Sequence, residues 1–275
     1  MRVIVIGANS YIGSHLVKKL KDCGHTVIAV VNTSREQTEW LSTAYGIQIL
    51  NNPVSLDTEG IDRIFFCNTN TGFYDYSITT SSKYDKYMDE RSVLLSTTLL
   101  YDMSSYRLAY KVMCEHRERN AQKAGAVIVR LCNVVGWDLP YTLKQPILGH
   151  RSDLQSSLRR HLMKPMGLDE IFYFSEDIDT KRRYIDIGFV TTALIALLDA
   201  GKTIKSIVLY SKRSISLREI GESLPCRYST KSPGRNMLVE IPIGANENVF
   251  YQEDYISTSV AESLSNVYAK YTSAT

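Results

Sequence analysis

Gly7 and Gly13 bracket the run Gly7-Ala8-Asn9-Ser10-Tyr11-Ile12-Gly13. Before it, Val3 to Ile6 is unbroken apolar sequence; after it, Ile12, Leu16, Val17 and Leu20 recur at helical spacing. A strand that turns tightly into a helix aims the helix's unpaired N–H groups and positive dipole end at the turn, which suits a pyrophosphate. Gly7 permits the turn and Gly13 lets helix and strand approach closely. Asn9, Ser10, Tyr11 and Ile12 complete the candidate dinucleotide loop. A second candidate cluster ends the next apolar strand, Val30-Val31-Asn32-Thr33-Ser34-Arg35. An acidic residue there would hold both ribose hydroxyls and repel a 2′-phosphate. None is present, and Asn32, Thr33, Ser34 and Arg35 can all donate to a phosphate. The expected cofactor is NADP, with NAD as the alternative.

The elements that must position these residues alternate. Strands are expected at Val3–Ile6, Thr26–Val31, Ile47–Leu50, Ile61–Cys67, Ser92–Thr97 and Ala126–Leu131. Helices are expected over Tyr11–Cys23, stopped by Gly24, and over Tyr106–Ala124, stopped by Gly125. Strands alternating with helices predict an α/β protein with a Rossmann-type, doubly wound parallel sheet. After Trp137 the pattern loosens; residues 138–183 show no clear strand alternation. Phe189–Ala200 reads as a helix, Ser206–Tyr210 as a strand returning to the sheet, Ile215–Leu224 as a short helix, and the remainder as a mixed tail. The expected organisation is a dinucleotide-binding domain over 1–136. Residues 137–275 would form mainly a small C-terminal substrate-binding lobe, with 184–210 rejoining the Rossmann sheet.

Composition narrows the class. The 275 residues are 44% hydrophobic and 22% charged, ordinary for a globular protein. With 32 basic and 29 acidic residues, the net charge of +3 gives no case for a nucleic-acid partner. The five cysteines, Cys23, Cys67, Cys114, Cys132 and Cys226, form no C-x-x-C pair and read as free thiols in a reducing compartment. The five histidines show no ligand spacing, so no metal is expected. No apolar run approaches membrane-spanning length, and the chain enters a strand at once, so a cytoplasmic location is expected.

The order of several motifs resembles the extended short-chain dehydrogenase/reductase family, the group of nucleotide-sugar epimerases, dehydratases and reductases. Its loop is usually G-x-x-G-x-x-G; here Ser10 stands at the middle glycine. A strand ending in hydroxyl residues follows, Leu95-Ser96-Thr97-Thr98, then a helix with Lys111 and Glu115. Val129-Arg130-Leu131-Cys132-Asn133-Val134-Val135-Gly136 resembles R-x-x-N-x-x-G, and Arg182-Arg183-Tyr184-Ile185-Asp186-Ile187 resembles R-D-[FY]-I-H-V. The resemblance implies that Cys67 and Asn68 edge the dinucleotide and that Lys111 is catalytic, binding its ribose and lowering the pKa of the catalytic tyrosine. It further implies that Thr97 hydrogen-bonds the reacting oxygen and that Asn133 and Arg182 contact the substrate's phosphates. The expected substrate is a small nucleotide-linked sugar, with no membrane partner; a homodimer is left open.

One departure bears on activity. The family's catalytic tyrosine, an acid/base for hydride transfer, precedes the lysine by four residues, which sets both on one helix face. Here that position is Arg107, and Tyr106 lies beside it. Arg107 cannot act as an ordinary base and is assigned instead to substrate binding. Arg107 and Lys111 would repel one another on a bare helix, and Glu115 or a bound anion is expected to balance them. Two readings stay open. In one, Tyr106 replaces the lost tyrosine, and the chain epimerises, dehydrates or reduces a nucleotide-linked sugar. In the other, the protein is a catalytically silent NADP-binding sensor or scaffold.

Overall fold

The computed structural model describes residues 1–31, 39–68, 83–102, 108–136, 171–174, 179, 181–199, 204–222, 227–230 and 248–252. The strands are β1 (Arg2–Ile6), β2 (Thr26–Val31), β3 (Gln48–Asn51), β4 (Arg63–Phe66), β5 (Ser92–Thr97), β6 (Val127–Leu131), β7 (Asn133–Val135), β8 (Ile171–Phe174), β9 (Lys181–Asp186), β10 (Ser206–Ser211), β11 (Ser214–Ser216), β12 (Arg227–Thr230) and β13 (Asn248–Gln252). The helices are α1 (Tyr11–Asp22), α2 (Glu39–Tyr45), α3 (Leu108–Lys123), α4 (Ile187–Asp199) and α5 (Leu217–Glu222). Short 3-10 turns cover Asp85–Tyr87 and Thr98–Tyr101.

The main sheet has eight strands in the order β13-β10-β6-β5-β4-β1-β2-β3. From β3 to β6 neighbouring strands run parallel. β1 shows why these strands pair this way. Its residues Val3, Ile4, Val5 and Ile6 are all buried, so both faces are covered, as a parallel sheet between helix layers requires. The helix stops fall where the two glycines predicted them. At the end of α1, Gly24 N–H bonds Lys21 C=O and His25 N–H bonds Leu20 C=O. At the end of α3, Gly125 N–H bonds Gln122 C=O and Ala126 N–H bonds Ala121 C=O. Both are the paired closures of a Schellman motif. The chain runs β1, β2, β3 outward on one side and resumes at β4 on the other, so the order reverses at β1. In such sheets the crevice beyond the carboxyl ends of the strands flanking the reversal is where ligands bind.

Two compact units emerge. The first comprises Met1–Leu131, Thr191–Val208 and Ala245–Asn248. The second comprises Cys132–Val190, Leu209–Gly244 and Val249–Thr275. Within the second, β9 is flanked by β7 (parallel) and β11 (antiparallel), and β8 pairs with β12 in parallel. One expectation needs correction here, and two unassigned stretches gain strands. Ile215 lies in strand β11 rather than in a helix, and among the described residues the helix covers Leu217–Glu222. The stretch 138–183, which shows no clear strand alternation in sequence, contains β8 and the start of β9. The mixed tail contains β12 and β13. All are strands of three to six residues, too short for a periodicity to declare itself.

Helix α3 is the element whose packing is least apolar. Its inward face carries Lys111, Cys114, Arg117, Glu118 and Ala121, all buried. Glu118 receives a bidentate pair from Arg130 on β6, Nε to Oε1 at 2.9 Å and Nη2 to Oε2 at 2.6 Å. Arg130 also donates to the Tyr101 hydroxyl at 3.0 Å and stacks over that ring at 5.4 Å. Removing one partner of a buried, bidentate pair leaves an uncompensated charge. We therefore expect Glu118→Ala to cost about 3–5 kcal/mol, read as a lowered midpoint in urea unfolding.

Candidate functional site

The turn after β1 sits at the reversal of the sheet. Gly7 has φ +78°, and a Cβ there would lie 2.7 Å from the backbone nitrogen of Asn68. Gly13 is closed in still more tightly, since a Cβ would lie 2.2 Å from the Gly7 carbonyl oxygen. Neither position admits a side chain without moving backbone. The turn itself is held by Gly7 and Ala8 N–H groups bonding Val30 C=O at 2.9 and 3.2 Å, and by Ser10 N–H bonding Gly7 C=O at 2.9 Å.

Ser10 is the N-cap of α1. Its Oγ accepts from Gly13 N–H at 3.1 Å and donates to Cys67 C=O at 3.2 Å. The hydroxyl therefore ties the helix start to the end of β4, a connection that a glycine at this position could not make. Gly7, Asn9, Ser10 and Ile12 keep partial exposure, whereas Tyr11 and Gly13 are buried. The Tyr11 ring packs edge-on against His15 at 4.7 Å, so its side chain serves the core.

Cys67 and Asn68 follow β4 directly. Cys67 N–H continues the ladder to Ile6 C=O at 2.8 Å. Burial pushes its thiol up to about 12, so it is not a nucleophile. Thr97, the last residue of β5, is half-buried, and its Oγ1 caps the following turn by accepting from Leu99 N–H at 3.1 Å. Lys111 enters from the first turns of α3 and is buried. Its Nζ donates to the Asp102 carbonyl at 2.6 Å and lies 3.3 Å from the Asp102 carboxylate. Glu115, expected as one of two means of balancing Arg107 and Lys111, is turned away from Lys111: it is exposed and pairs with Arg119 at 3.7 Å, one turn along the outer face. Asp102 takes the balancing role, because Lys111 faces inward and Glu115 outward.

In the second unit, Arg182 is buried on β9 rather than solvated. Asn133, at the start of β7, donates through Nδ2 to the Arg183 carbonyl at 3.1 Å. Arg183 bonds the Ser211 carbonyl at 3.0 Å and also the Lys212 carbonyl, and stacks on Tyr210 at 5.0 Å. Asp186, standing where the family motif has histidine, caps α4 through Gly188 and Phe189 N–H at 2.6 and 3.2 Å. Asn32, Thr33, Ser34, Arg35, Tyr106 and Arg107 lie outside the described residues. Among the described residues no group of side chains is suited to hold a metal ion, and no helix is long and apolar enough to cross a membrane.

The sequence reading missed Arg117 and Asp85. They form an ion pair at 3.0 Å, with side chains only 4% and 5% exposed, and Arg117 also bonds Asn68. No local signal marks either one; Arg117 sits in the charged run Glu115-His116-Arg117-Glu118-Arg119, which reads as a solvated face.

Residues 3–90 match the NAD dependent epimerase/dehydratase family. The motif-based resemblance thus holds over the part of the chain that carries the turn. No curated protein matches the chain by sequence. Solved structures match along its length. They include MoeE5 in complex with UDP-glucuronic acid and NAD, at 17% identity, with all of both chains covered and a TM-score of 0.65. TunA, an NAD dependent NDP-hexosamine 5,6-dehydratase involved in tunicamycin biosynthesis, matches at 15% identity over 99% of this chain and 98% of its own, with a TM-score of 0.63. UDP-glucose 4-epimerase from Bifidobacterium longum, in complex with NAD+ and UDP, matches at 15% identity over 98% of each chain, with a TM-score of 0.62. At these identities the likeness is one of fold, and it bears out the Rossmann-type reading.

The turn gives a direct test. Gly13→Ala places a methyl against the Gly7 carbonyl and the Ser10 hydroxyl and is expected to cost about 1–3 kcal/mol, seen as a lowered thermal midpoint. An alanine at exposed Gly24, which has nothing within 4 Å of a Cβ, serves as the strain-only control.

Proposed function

We propose that this chain binds a nicotinamide dinucleotide in the turn after β1 and uses it to modify a nucleotide-linked sugar by epimerisation, dehydration or keto-reduction. The observation that carries the reading is the turn itself. It lies at the reversal of the sheet, it opens a helix whose start is capped by Ser10, and its two glycines are required by backbone contact. These residues fit a dinucleotide: the helix dipole favours the pyrophosphate, and Gly7, Asn9, Ser10 and Ile12 are accessible at its end. The bound nicotinamide would supply the hydride acceptor. The sugar follows from the family match and from the three neighbours, all nucleotide-sugar proteins by their descriptions. Asn133 and Arg182 are the candidates for its phosphates and Arg107 for a further anionic contact. Thr97 is the candidate partner of the reacting oxygen.

NADP is the preferred cofactor in this reading, since no acidic residue follows β2 and Arg35 can pair with a 2′-phosphate. NAD is the cofactor of the neighbouring complexes, which makes Arg35 the discriminating residue. Tyr106 is the candidate proton donor.

One observation favours the second reading, a silent dinucleotide binder. Lys111 is engaged by Asp102 through both carbonyl and carboxylate, and Arg107 occupies the position four residues before it. A lysine so held has less to offer a tyrosine.

The test is a fluorescence titration with NADPH and NADH, followed by proton NMR of UDP-glucose incubated with the protein and the bound cofactor. Both cofactors should bind, NADPH more tightly. Arg35→Ala should lower NADPH affinity about tenfold or more and leave NADH unchanged. New sugar resonances that disappear in Tyr106→Phe, with cofactor binding intact, would support the enzyme. Binding without any change across a panel of nucleotide-linked sugars would favour the silent binder, and failure to bind either cofactor would overturn both readings.

A further inference from the structure

Phe66 is the last residue of β4 with strand neighbours in register, Cys67 N–H still bonds Ile6 C=O, and Asn68 follows directly after them. Asn68 is the wall against which the phosphate turn packs, because the space a Gly7 Cβ would need is filled by its N, Cα and Cβ atoms, at 2.7, 2.8 and 2.9 Å. Where Asn68 sits therefore decides where Gly7 sits.

Arg117 holds it there. Its Nη1 donates to the Asn68 carbonyl at 2.6 Å and its Nη2 to Asn68 Oδ1 at 3.2 Å. The guanidinium is in turn clamped by Asp85, Nε to Oδ2 and Nη2 to Oδ1, both at 3.0 Å. One planar group thus spans α3, the turn at Asp85–Tyr87 and the end of β4. An arginine acts only as a donor, so it also fixes the Asn68 amide with its oxygen toward α3 and its NH2 group on the opposite edge. A lysine at 117 could keep the charge pair with Asp85 but could not bridge to both oxygens of Asn68.

We propose that Arg117 is a positioning residue for dinucleotide binding, acting through Asn68 on the Gly7 turn. This rests on the dinucleotide reading given above and extends it to a buried residue that touches no ligand itself. A buried ion pair is an expensive way to hold a fold together, since apolar residues of similar volume often do as well. What apolar residues cannot do is bond the backbone carbonyl and the side-chain amide of a half-buried residue just past the end of a strand.

The experiment is a double-mutant cycle on Arg117→Lys and Asn68→Ala in the full chain. It measures NADPH and NADH dissociation constants by fluorescence and, in parallel, cooperative unfolding. Arg117→Lys is expected to unfold cooperatively but to bind both cofactors about tenfold more weakly, since the 2′-phosphate is not involved. Asn68→Ala should add less in the Arg117→Lys background than in the wild type, because the two act as a unit. Should Arg117→Lys fail to fold, Asp85→Asn, which keeps the Arg117–Asn68 bonds but loosens the guanidinium, is expected to give a smaller loss of the same kind. Wild-type binding retained at full affinity in the variant that folds, or additive losses, would overturn this inference alone. A wild-type protein that binds neither cofactor would overturn the functional reading and the inference with it.

Discussion

The physical constraint on which the first unit depends is the neutralisation of the charges that α3 buries. Lys111, Arg117 and Glu118 all face inward, and each would be costly there without a partner. Each finds its partner on a different segment: Asp102 after β5, Asp85 and Asn68 around the end of β4, and Arg130 on β6. The Lys111 and Arg117 pairings place the loops at the carboxyl ends of β5 and β4 relative to one helix, and the Glu118 pairing ties that helix to β6. Those are the loops that border the crevice at the reversal of the sheet. An apolar α3 would satisfy the core equally well but would leave the loops unpositioned. The charges thus trade burial cost for geometry, and the geometry falls where a ligand would need it.

The phosphate turn follows the same logic on a smaller scale. Ser10, at the position where the family pattern has glycine, joins the cap of α1 to the carbonyl of Cys67. Gly7 rests against Asn68, and Asn68 is held from α3. The helix that would receive the pyrophosphate and the helix that carries Lys111 are therefore linked through two residues at the end of β4. In the second unit the basic run on β9 is likewise absorbed into structure. Arg183 satisfies carbonyls of Ser211 and Lys212, and its own carbonyl accepts from Asn133. Asp186 replaces a family histidine and becomes a helix cap. The basic character of this region is thus partly the chemistry of holding β7, β9 and β11 together.

Much was legible in the sequence because it is decided locally. Apolar runs such as Val3–Ile6 and Thr26–Val31 can only be buried strands, and a glycine after an amphipathic run closes a helix through bonds to its own last turn. The strand–turn–helix around Gly7 and Gly13 is equally local, so the Rossmann-type sheet and its candidate phosphate loop could be read directly from residue type and spacing. The short strands β8, β11, β12 and β13 could not. They form only because a partner strand lies alongside, and three to five residues carry no periodicity of their own.

Only the tertiary structure decided which charged residues matter. Glu115 and Glu118 lie three residues apart on one helix, and nothing in the sequence separates them. Yet Glu115 is exposed beside Arg119, and Glu118 is buried against Arg130. Lys111 was picked out by its spacing, but its partner proved to be Asp102 across the turn after β5 rather than a neighbour one helical turn away. Arg117 was invisible, because its meaning comes from Asp85 and Asn68, 32 and 49 residues earlier in the chain. Residue type and spacing determine which backbone forms; the pairing of a charge depends on which distant segment the folded backbone brings within about 3 Å, and that distance exists only once the sheet has closed.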